Sequence, residues 1–295
     1  MTLGQLATFL AVARTGSVRG AAAERVVSEP AVSAAVASLE RELGVALVVR
    51  QGRGLRLTRS GEAFARSAAE ALAEIARGGE AARAAVGEGS AVLRLAAVTT
   101  AGESVVPALL GRFRQQHPEI EVRLEVGNRA RVLGLLLSRE VDLAIGGRPP
   151  ARSGIAGRPV IPNELVVVVA RGHRLARAAK VRAADLVDET WLLREEGSGT
   201  RESTLELFAR LGISPERRLT LGSNGAVKQG ALVGLGVTLL SSTAIQAELR
   251  GGRLRALPVP GLPLRRPWHA LVRVGTPTGK RGDAAAAFLT FLLAR

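Results

Sequence analysis

The sequence contains no cysteine. Disulfide scaffolds, thiolate metal sites and cysteine nucleophiles are therefore excluded. Histidine is scarce: His117, His173 and His269 stand far apart, and no two have metal-ligand spacing. Three unrelated surface or structural histidines are expected, and no metal site. Lysine occurs only at Lys180, Lys228 and Lys280, so nearly all the positive charge is arginine. No uncharged apolar run is long enough to span a bilayer. Residues 1–17 lack a basic n-region, and Arg14 interrupts their apolar pattern before a signal-peptide core is complete. The expectation is a cytoplasmic protein with no membrane partner.

What is present points to nucleic acid. The 295 residues, 47% of them hydrophobic, suffice for more than one packed core. The formal net charge of +15 favours acidic partners. Total charge does not locate a site, because the first 88 residues are only mildly basic. Local charge does: between Glu42 and Glu62 there is no acid, and Arg50, Arg53, Arg56 and Arg59 fall in that interval.

Leu3, Leu6, Leu10 and Ala13 recur at helical spacing, with Gly16 as a stop. Ser17 caps a short helix over 18–24, and Arg25-Val26-Val27 is a tight connection. Ser28 caps a third helix that tolerates Pro30 in its first turn. Val32, Val36, Leu39 and Leu43 form its buried stripe, and Gly44 ends it. Two short helices around a tight turn read as helix-turn-helix. The apolar runs 46–50 and 55–58 flank Gln51-Gly52-Arg53-Gly54, which makes a basic hairpin: a wing whose arginines would meet phosphates or the minor groove. Residues 59–86 read as a long helix with a seam of Phe64, Ala68, Ala71 and Ile75, and Leu72 beside it. A lone helix cannot bury such a stripe, so a partner chain is expected. Gly78-Gly79 predicts a bend or fraying, and Gly87-Glu88-Gly89-Ser90 a linker.

From residue 91 strands alternate with helices: strand 92–98, helix 102–116, strand 120–126, helix 130–138 and strand 141–145, a βαβαβ unit with a parallel sheet. Strands follow at 164–170, 191–193, 237–240 and 268–274, with helices through Leu211, over 224–235 and over 283–293. Thr99-Thr100 and Gly197-Ser198-Gly199-Thr200-Arg201 both lie at turns into helices, where hydroxyls and free N–H groups suit an anion or simply cap the helix. Asn224 and Lys228, one helical turn apart, could add a donor and a charge, or Lys228 could be a solvated surface residue.

The sequence resembles the LysR-type family of bacterial transcriptional regulators. The resemblance is carried by Leu6, Phe9, Ala11-Val12-Ala13, Gly16-Ser17, Ala21-Ala22, Ser28, Pro30-Ala31-Val32-Ser33, Leu39-Glu40, Leu43-Gly44, Leu47, Arg50, Leu57-Thr58 and Gly61. It continues through Thr99-Thr100, Pro107, Phe113, Pro118, Val141-Asp142-Leu143-Ala144-Ile145, the run 197–201 and Gly234-Leu235-Gly236-Val237. It implies an α/β protein with an N-terminal winged helix-turn-helix over 1–58, a linker and dimerisation helix over 59–90, and a two-lobed sensor over 91–295 with a periplasmic-binding-protein-like fold. Lobe one would be 91–161 with 267–295, and lobe two 162–266. DNA would be met by Ser28, Glu29, Pro30, Ser33, Ala34, Arg50 and Arg53. A small effector between the lobes would meet Thr99, Thr100, Gly146, Ser198, Gly199, Thr200, Asn224 and Lys228. Implied partners are promoter DNA, the effector and further copies of the chain as homodimer or homotetramer, with RNA polymerase a further candidate; no cofactor is implied.

The stretches 99–102 and 223–229 look most like the branch that regulates carbon fixation and sulfur metabolism, which implies a phosphorylated, carboxylate or oxyanion effector. The sequence departs from the family pattern at Glu29, Ala34 and Val48, where glutamine, a polar or basic residue and phenylalanine are common. A carboxylate repels phosphate yet can accept from cytosine N4, and alanine offers only apolar contact, so weight shifts toward the wing arginines and DNA shape. An enzyme on this scaffold would need a nucleophile with a base; no histidine neighbours the serine-rich turns in sequence. A nonspecific DNA-compacting protein would explain the wing but not the second half.

Overall fold

A computed structural model describes residues 1–52, 54–85, 91–275 and 284–294. They form two units, residues 1–90 with 137–140 and residues 91–136 with 141–295.

The first unit opens with α1 (Leu3–Thr15), α2 (Val18–Arg25) and α3 (Glu29–Leu43). Each starts on a hydroxyl: Thr2, Ser17 and Ser28 accept from the N–H of Gln5, Gly20 and Ala31, which satisfies donors the helix itself cannot pair. Gly16 and Gly44 end α1 and α3 in the left-handed region. Ala11, Val12, Ala21, Val32 and Val36 form one small core, and Leu6, Phe9, Leu39, Leu47 and Ala68 another. Leu43, expected in the buried stripe, is exposed; it lies in the last turn, beside the Gly44 cap.

The hairpin β1 (Val48–Gln51) and β2 (Gly54–Leu57) pairs antiparallel. The Glu40 carboxylate holds its start, accepting from the N–H of Leu47 and Val48 at 2.7 and 3.1 Å. Thr58 donates to the Ala46 carbonyl and accepts from the Gly61 N–H, which fixes the turn into α4 (Arg59–Ala85). Gly61 lies so close to the Leu47 carbonyl that any Cβ would overlap it. The fraying expected at Gly78-Gly79 does not occur: α4 runs through both glycines, since a cost of about 1 kcal/mol per glycine is a bias that flanking helix formers outweigh. The predicted seam is divided. Ala68 is buried and Phe64 and Leu72 pack on the cluster around Phe9, with the Phe9 and Phe64 rings 5.5 Å apart. Ala71 and Ile75 are exposed. Part of the stripe therefore completes this unit's own core. The linker residues 87–90 lie outside the described residues, as does Arg53.

The second unit runs β3 (Ala91–Val98), α5 (Thr99–Ser104), α6 (Val106–Gln116), β4 (Ile120–Gly127), α7 (Arg129–Leu137), β5 (Leu143–Gly146) and β6 (Ile155–Ile161). The chain then builds β7 (Glu164–Ala170), α8 (Ala184–Val187), β8 (Trp191–Arg194), α9 (Gly199–Leu211), β9 (Arg218–Leu221), α10 (Asn224–Leu232), β10 (Thr238–Ser241), α11 (Gln246–Arg250), β11 (Leu254–Ala256) and β12 (Leu264–Arg265). It returns as β13 (Trp268–Arg273) and α12 (Ala284–Leu293). One sheet has the order β4-β3-β5-β13-β6. Its first three strands are parallel, and β13 is antiparallel to both neighbours. In the other lobe β10, β11 and β12 pair antiparallel with β7, and β8 pairs parallel with β9. Leu93, Phe113, Leu143 and Phe288 anchor one core; Val167, Trp191, Phe208 and Leu239 anchor the other.

Two element expectations are corrected. The helix over 102–116 is two helices that begin at Thr99 and break at Val105; Pro107 supplies no N–H for a continuous ladder and disfavours helix before it. α10 ends at Leu232 rather than Leu235, because Gly234 turns left-handed at φ 81°. The two passages between lobes are tied together: Asn163 Nδ2 donates to the Arg266 carbonyl at 3.0 Å, the Arg266 N–H returns to the Asn163 carbonyl at 2.9 Å, and the Ser241 hydroxyl donates to Asn163 Oδ1 at 2.6 Å. No helix among the described residues is long and apolar enough to cross a membrane.

Candidate functional site

A cavity of about 690 Å³ opens between the two lobes of the second unit. Thr99, Thr100, Ser198, Gly199 and Thr200 all line it, so the two hydroxyl-bearing turns, a hundred residues apart in sequence, face one space. The Thr99 hydroxyl donates to the Gly127 carbonyl at 3.0 Å. Thr100 Oγ1 accepts from Asn224 Nδ2 across the lobes at 2.6 Å. Ser198 stands at the N-cap of α9 without a side-chain cap bond. The first N–H groups of a thirteen-residue helix are thus presented beside the cavity. Gly197, at φ 78°, lets the chain turn here, and its carbonyl accepts from the Ala130 N–H of the other lobe at 3.1 Å.

Three predicted effector residues sit differently from expectation. Gly146 does not line the cavity; it packs under Leu271 and Val98, and Gly147, one residue past β5, takes the place at the wall. Lys228 does not line it either. Its ammonium is 3.0 Å from Glu248 of α11, a buried carboxylate that needs a cation. Burial tends to raise the Glu248 pKa, but the Lys228 hydrogen bond, its own backbone N–H and the charges of Lys228 and Arg253 hold it below the ordinary value. Asn224 is buried beneath the wall, with its Oδ1 accepting from Arg194 and its amide on Thr100.

The wall carries charge that periodicity did not reveal. Arg129, Arg148, Arg194, Arg265 and Arg266 line the cavity, against the carboxylates of Glu202 and Glu206. Arg194 ends the apolar strand β8, only 4% exposed, and forks onto Glu195 at 2.7 and 2.8 Å. Burial pushes the Glu195 carboxyl up, yet hydrogen bonds from Arg194, its own backbone N–H and Asn128 bring it below the carboxylate range. Arg129 lies 3.3 Å from Glu202 and donates to the Arg148 carbonyl at 2.8 Å. Arg266 pairs with Glu206. Among the described residues no carboxylate lies within ion-pair distance of the Arg148 guanidinium, which is exposed at the wall. The only sequence signal for Arg194 was a charge closing a Trp-Leu-Leu strand.

Two histidines fit the structural expectation. His117 packs on Phe113, and His173 caps a short turn and meets Glu189 at 3.1 Å. His269 lies at the cavity wall. Burial pushes its pKa down, and the charges of Arg148 and Arg129 add to this against the opposing hydrogen bond to the Pro267 carbonyl. No group of three or more acidic or histidine side chains among the described residues is arranged to hold a metal ion.

In the first unit Ser28, Glu29, Pro30, Ser33 and Ala34 are all exposed around the start of α3, away from buried Val32, Val36 and Leu39. The Ser28 hydroxyl is occupied by the Ala31 N–H at 3.3 Å, so it caps the helix. Arg50 and Arg56 are exposed on the two wing strands, and Arg59 is exposed at the start of α4.

Residues 3–62 match the model of the bacterial regulatory helix-turn-helix proteins of the lysR family, and residues 87–295 match the LysR substrate binding domain. The HTH-type transcriptional regulator CbbR of Rhodospirillum rubrum is 36% identical over 97% of this chain and 95% of its own length. The RuBisCO operon transcriptional regulator of Allochromatium vinosum is 37% identical over 99% of this chain and 96% of its own length. Among solved structures, the CcmR regulatory domain of Synechocystis PCC6803 in complex with 2-PG is 35% identical, with a TM-score of 0.64 over 69% of this chain and 96% of that one.

Proposed function

The chain belongs to the LysR family of DNA-binding transcriptional regulators in its carbon-fixation branch, and we propose that its interlobe cavity captures a small phosphorylated carboxylate such as 2-phosphoglycolate to control binding at a promoter. It is a regulator and not an enzyme, like the proteins it matches. The observation that carries the reading is the cavity wall: five arginines and two carboxylates beside the first turn of α9, where Ser198 makes no side-chain cap bond. Oriented N–H groups and guanidiniums bind oxyanions by charge-assisted hydrogen bonds.

The ligand would touch both lobes, so it would favour one lobe arrangement by its differential contacts there. Ser33, Ala34 and the residues before them would enter the major groove, and Arg50 and Arg53 would meet the backbone. Glu29 and Ala34 supply little phosphate attraction, which leaves affinity to the wing. The exposed half of the α4 stripe, Ala71 and Ile75, supports pairing with a second copy. Dimers, or tetramers built from them, would act in the cytoplasm and reach RNA polymerase at the promoter. The effector is the only small molecule required, with no cofactor.

The test joins calorimetry to gel shifts on the full-length protein. 2-Phosphoglycolate should bind, and Arg148→Glu should weaken it at least tenfold, about 1.4 kcal/mol. DNA from upstream of the protein's own gene should be retained over random competitor, and the ligand should alter that complex. Binding that is indifferent to Arg148→Glu, or DNA retention that random sequence removes equally, would overturn the reading.

A further inference from the structure

Among the residues that line the cavity, His269 is the single group whose proton can leave or arrive near neutral pH. It sits near the start of β13, opposite Gly146 of β5 and Pro159 of β6. Its Nδ1 is 3.0 Å from the Pro267 carbonyl. A carbonyl only accepts, so Nδ1 carries the proton and the neutral ring keeps its lone pair on Nε2. No described residue bonds Nε2.

The charged groups that share the cavity wall with the ring are mostly cations. Arg148 follows β5, Arg129 starts α7, and Arg265 and Arg266 lead into the ring's own strand. On α9 stand Glu202 and Glu206, already paired with Arg129 and Arg266. On β6 the neighbour of Pro159 is Arg158, an exposed residue that strand alternation sends to the opposite face of the sheet. A proton added to Nε2 would place a further positive charge on a half-buried ring beside Arg148 and Arg129. The direction of the His269 shift, downward from burial and from Arg148 and Arg129, agrees. An anion beside Arg148 removes that repulsion and gives Nε2–H an acceptor.

We infer that His269 is a proton-coupled binding residue: an oxyanion held beside Arg148 brings with it one proton from solvent onto Nε2, which then donates to the anion. This rests on the cavity being the anion site. The sensor would then report pH together with effector concentration. Uptake of a proton on binding makes affinity rise as pH falls, by up to about tenfold per pH unit between the free and bound pKa values of the ring, and level off outside that window.

Sulfate is the probe, because its charge is constant from about pH 6 to about pH 8, where histidine is the side chain that ordinarily titrates. Sulfate titrations of the full-length protein should give affinity several-fold higher at about pH 6 than at about pH 8. His269→Gln should lose the slope, its affinity no longer rising as the pH falls. As a measurement independent of the variant's folding, the imidazole signals of the wild-type protein should show His269 titrating at higher pH with sulfate present than without it. An equal slope in His269→Gln, or a wild-type affinity flat with pH, overturns the role of His269. If 2-phosphoglycolate still binds in that case, only this inference falls; if neither anion binds at any pH, the anion-site reading falls with it.

Discussion

The two units solve the same problem, finding partners for polar groups that the regular elements leave unpaired, over different distances. In the first unit the closures that cap the helices and clamp the wing are short: Thr2, Ser17, Ser28 and Thr58 each cap an N–H three residues ahead, and Glu40 reaches seven and eight residues to the start of the wing. In the second unit the closures that shape the site are long: Thr100 to Asn224, Arg194 to Asn224, Asn163 to Arg266. A unit built on local closures needs only its own sequence to present a rigid surface. A cavity closed by long ones depends on how two lobes meet, and a ligand that competes for those bonds can shift that meeting.

The comparison can be tested by breaking one closure in each unit. The largest effect is expected from Gly61→Ala. Its Cβ would collide with the Leu47 carbonyl, backbone against backbone, so neither side can yield by a rotamer change. A loss of about 3 kcal/mol is expected in denaturant unfolding of the first unit, with DNA binding lost and calorimetric 2-phosphoglycolate binding kept. If effector binding falls equally, the two regions do not have the independence argued above. Next comes Asn224→Ala. It removes the inter-lobe bond to Thr100 and one partner of buried Arg194. A cost of about 2 kcal/mol to the second unit is expected, with the wing-dependent affinity for DNA fragments unchanged in the absence of ligand. Unchanged stability would mean that the bond to Thr100 is not a closure at all.

That difference in distance also explains what could be read from sequence. Caps and glycine stops in the first ninety residues announce themselves within one turn, and the helix-turn-helix and its wing were visible from Ser17, Ser28, Gly44 and the arginine run. The βαβαβ start of the second unit was equally visible. The antiparallel return was not, because β6 contains Gly157 and Pro159, which break the apolar pattern, and it pairs with a strand more than a hundred residues later. The turns at Thr99-Thr100 and at 197–201 were found because hydroxyls before a helix are a local signal. Arg194, Arg148 and His269 were missed because nothing near them in sequence distinguishes a charge facing a cavity from one facing water. Lys228 was misplaced for the complementary reason: spacing put it one turn from Asn224, while its partner Glu248 lies twenty residues on. Folding brings a buried carboxylate to it, and the carboxylate prevails.

The smallest effect is expected at the one place where the first unit's local chemistry is poor. α2 ends on Val26, at φ 55°, where α1 and α3 end on glycine. A β-branched residue in the left-handed region is strained by about 1–2 kcal/mol, and Val26 is 89% exposed, so packing within the unit does not repay the cost. Its N–H still donates to the Ala22 carbonyl, a bond that any residue but proline would keep. Asparagine tolerates this conformation. Val26→Asn should therefore raise the stability of the first unit by about 1 kcal/mol, read as a shift of the denaturant midpoint at constant slope, with operator affinity unchanged. A gain in stability accompanied by weaker DNA binding would mean that the exposed valine earns its strain at the DNA surface. No gain at all would mean that the turn between α2 and α3 relaxes out of the left-handed region in solution, and that this unit's local closures are less complete than their hydrogen bonds imply.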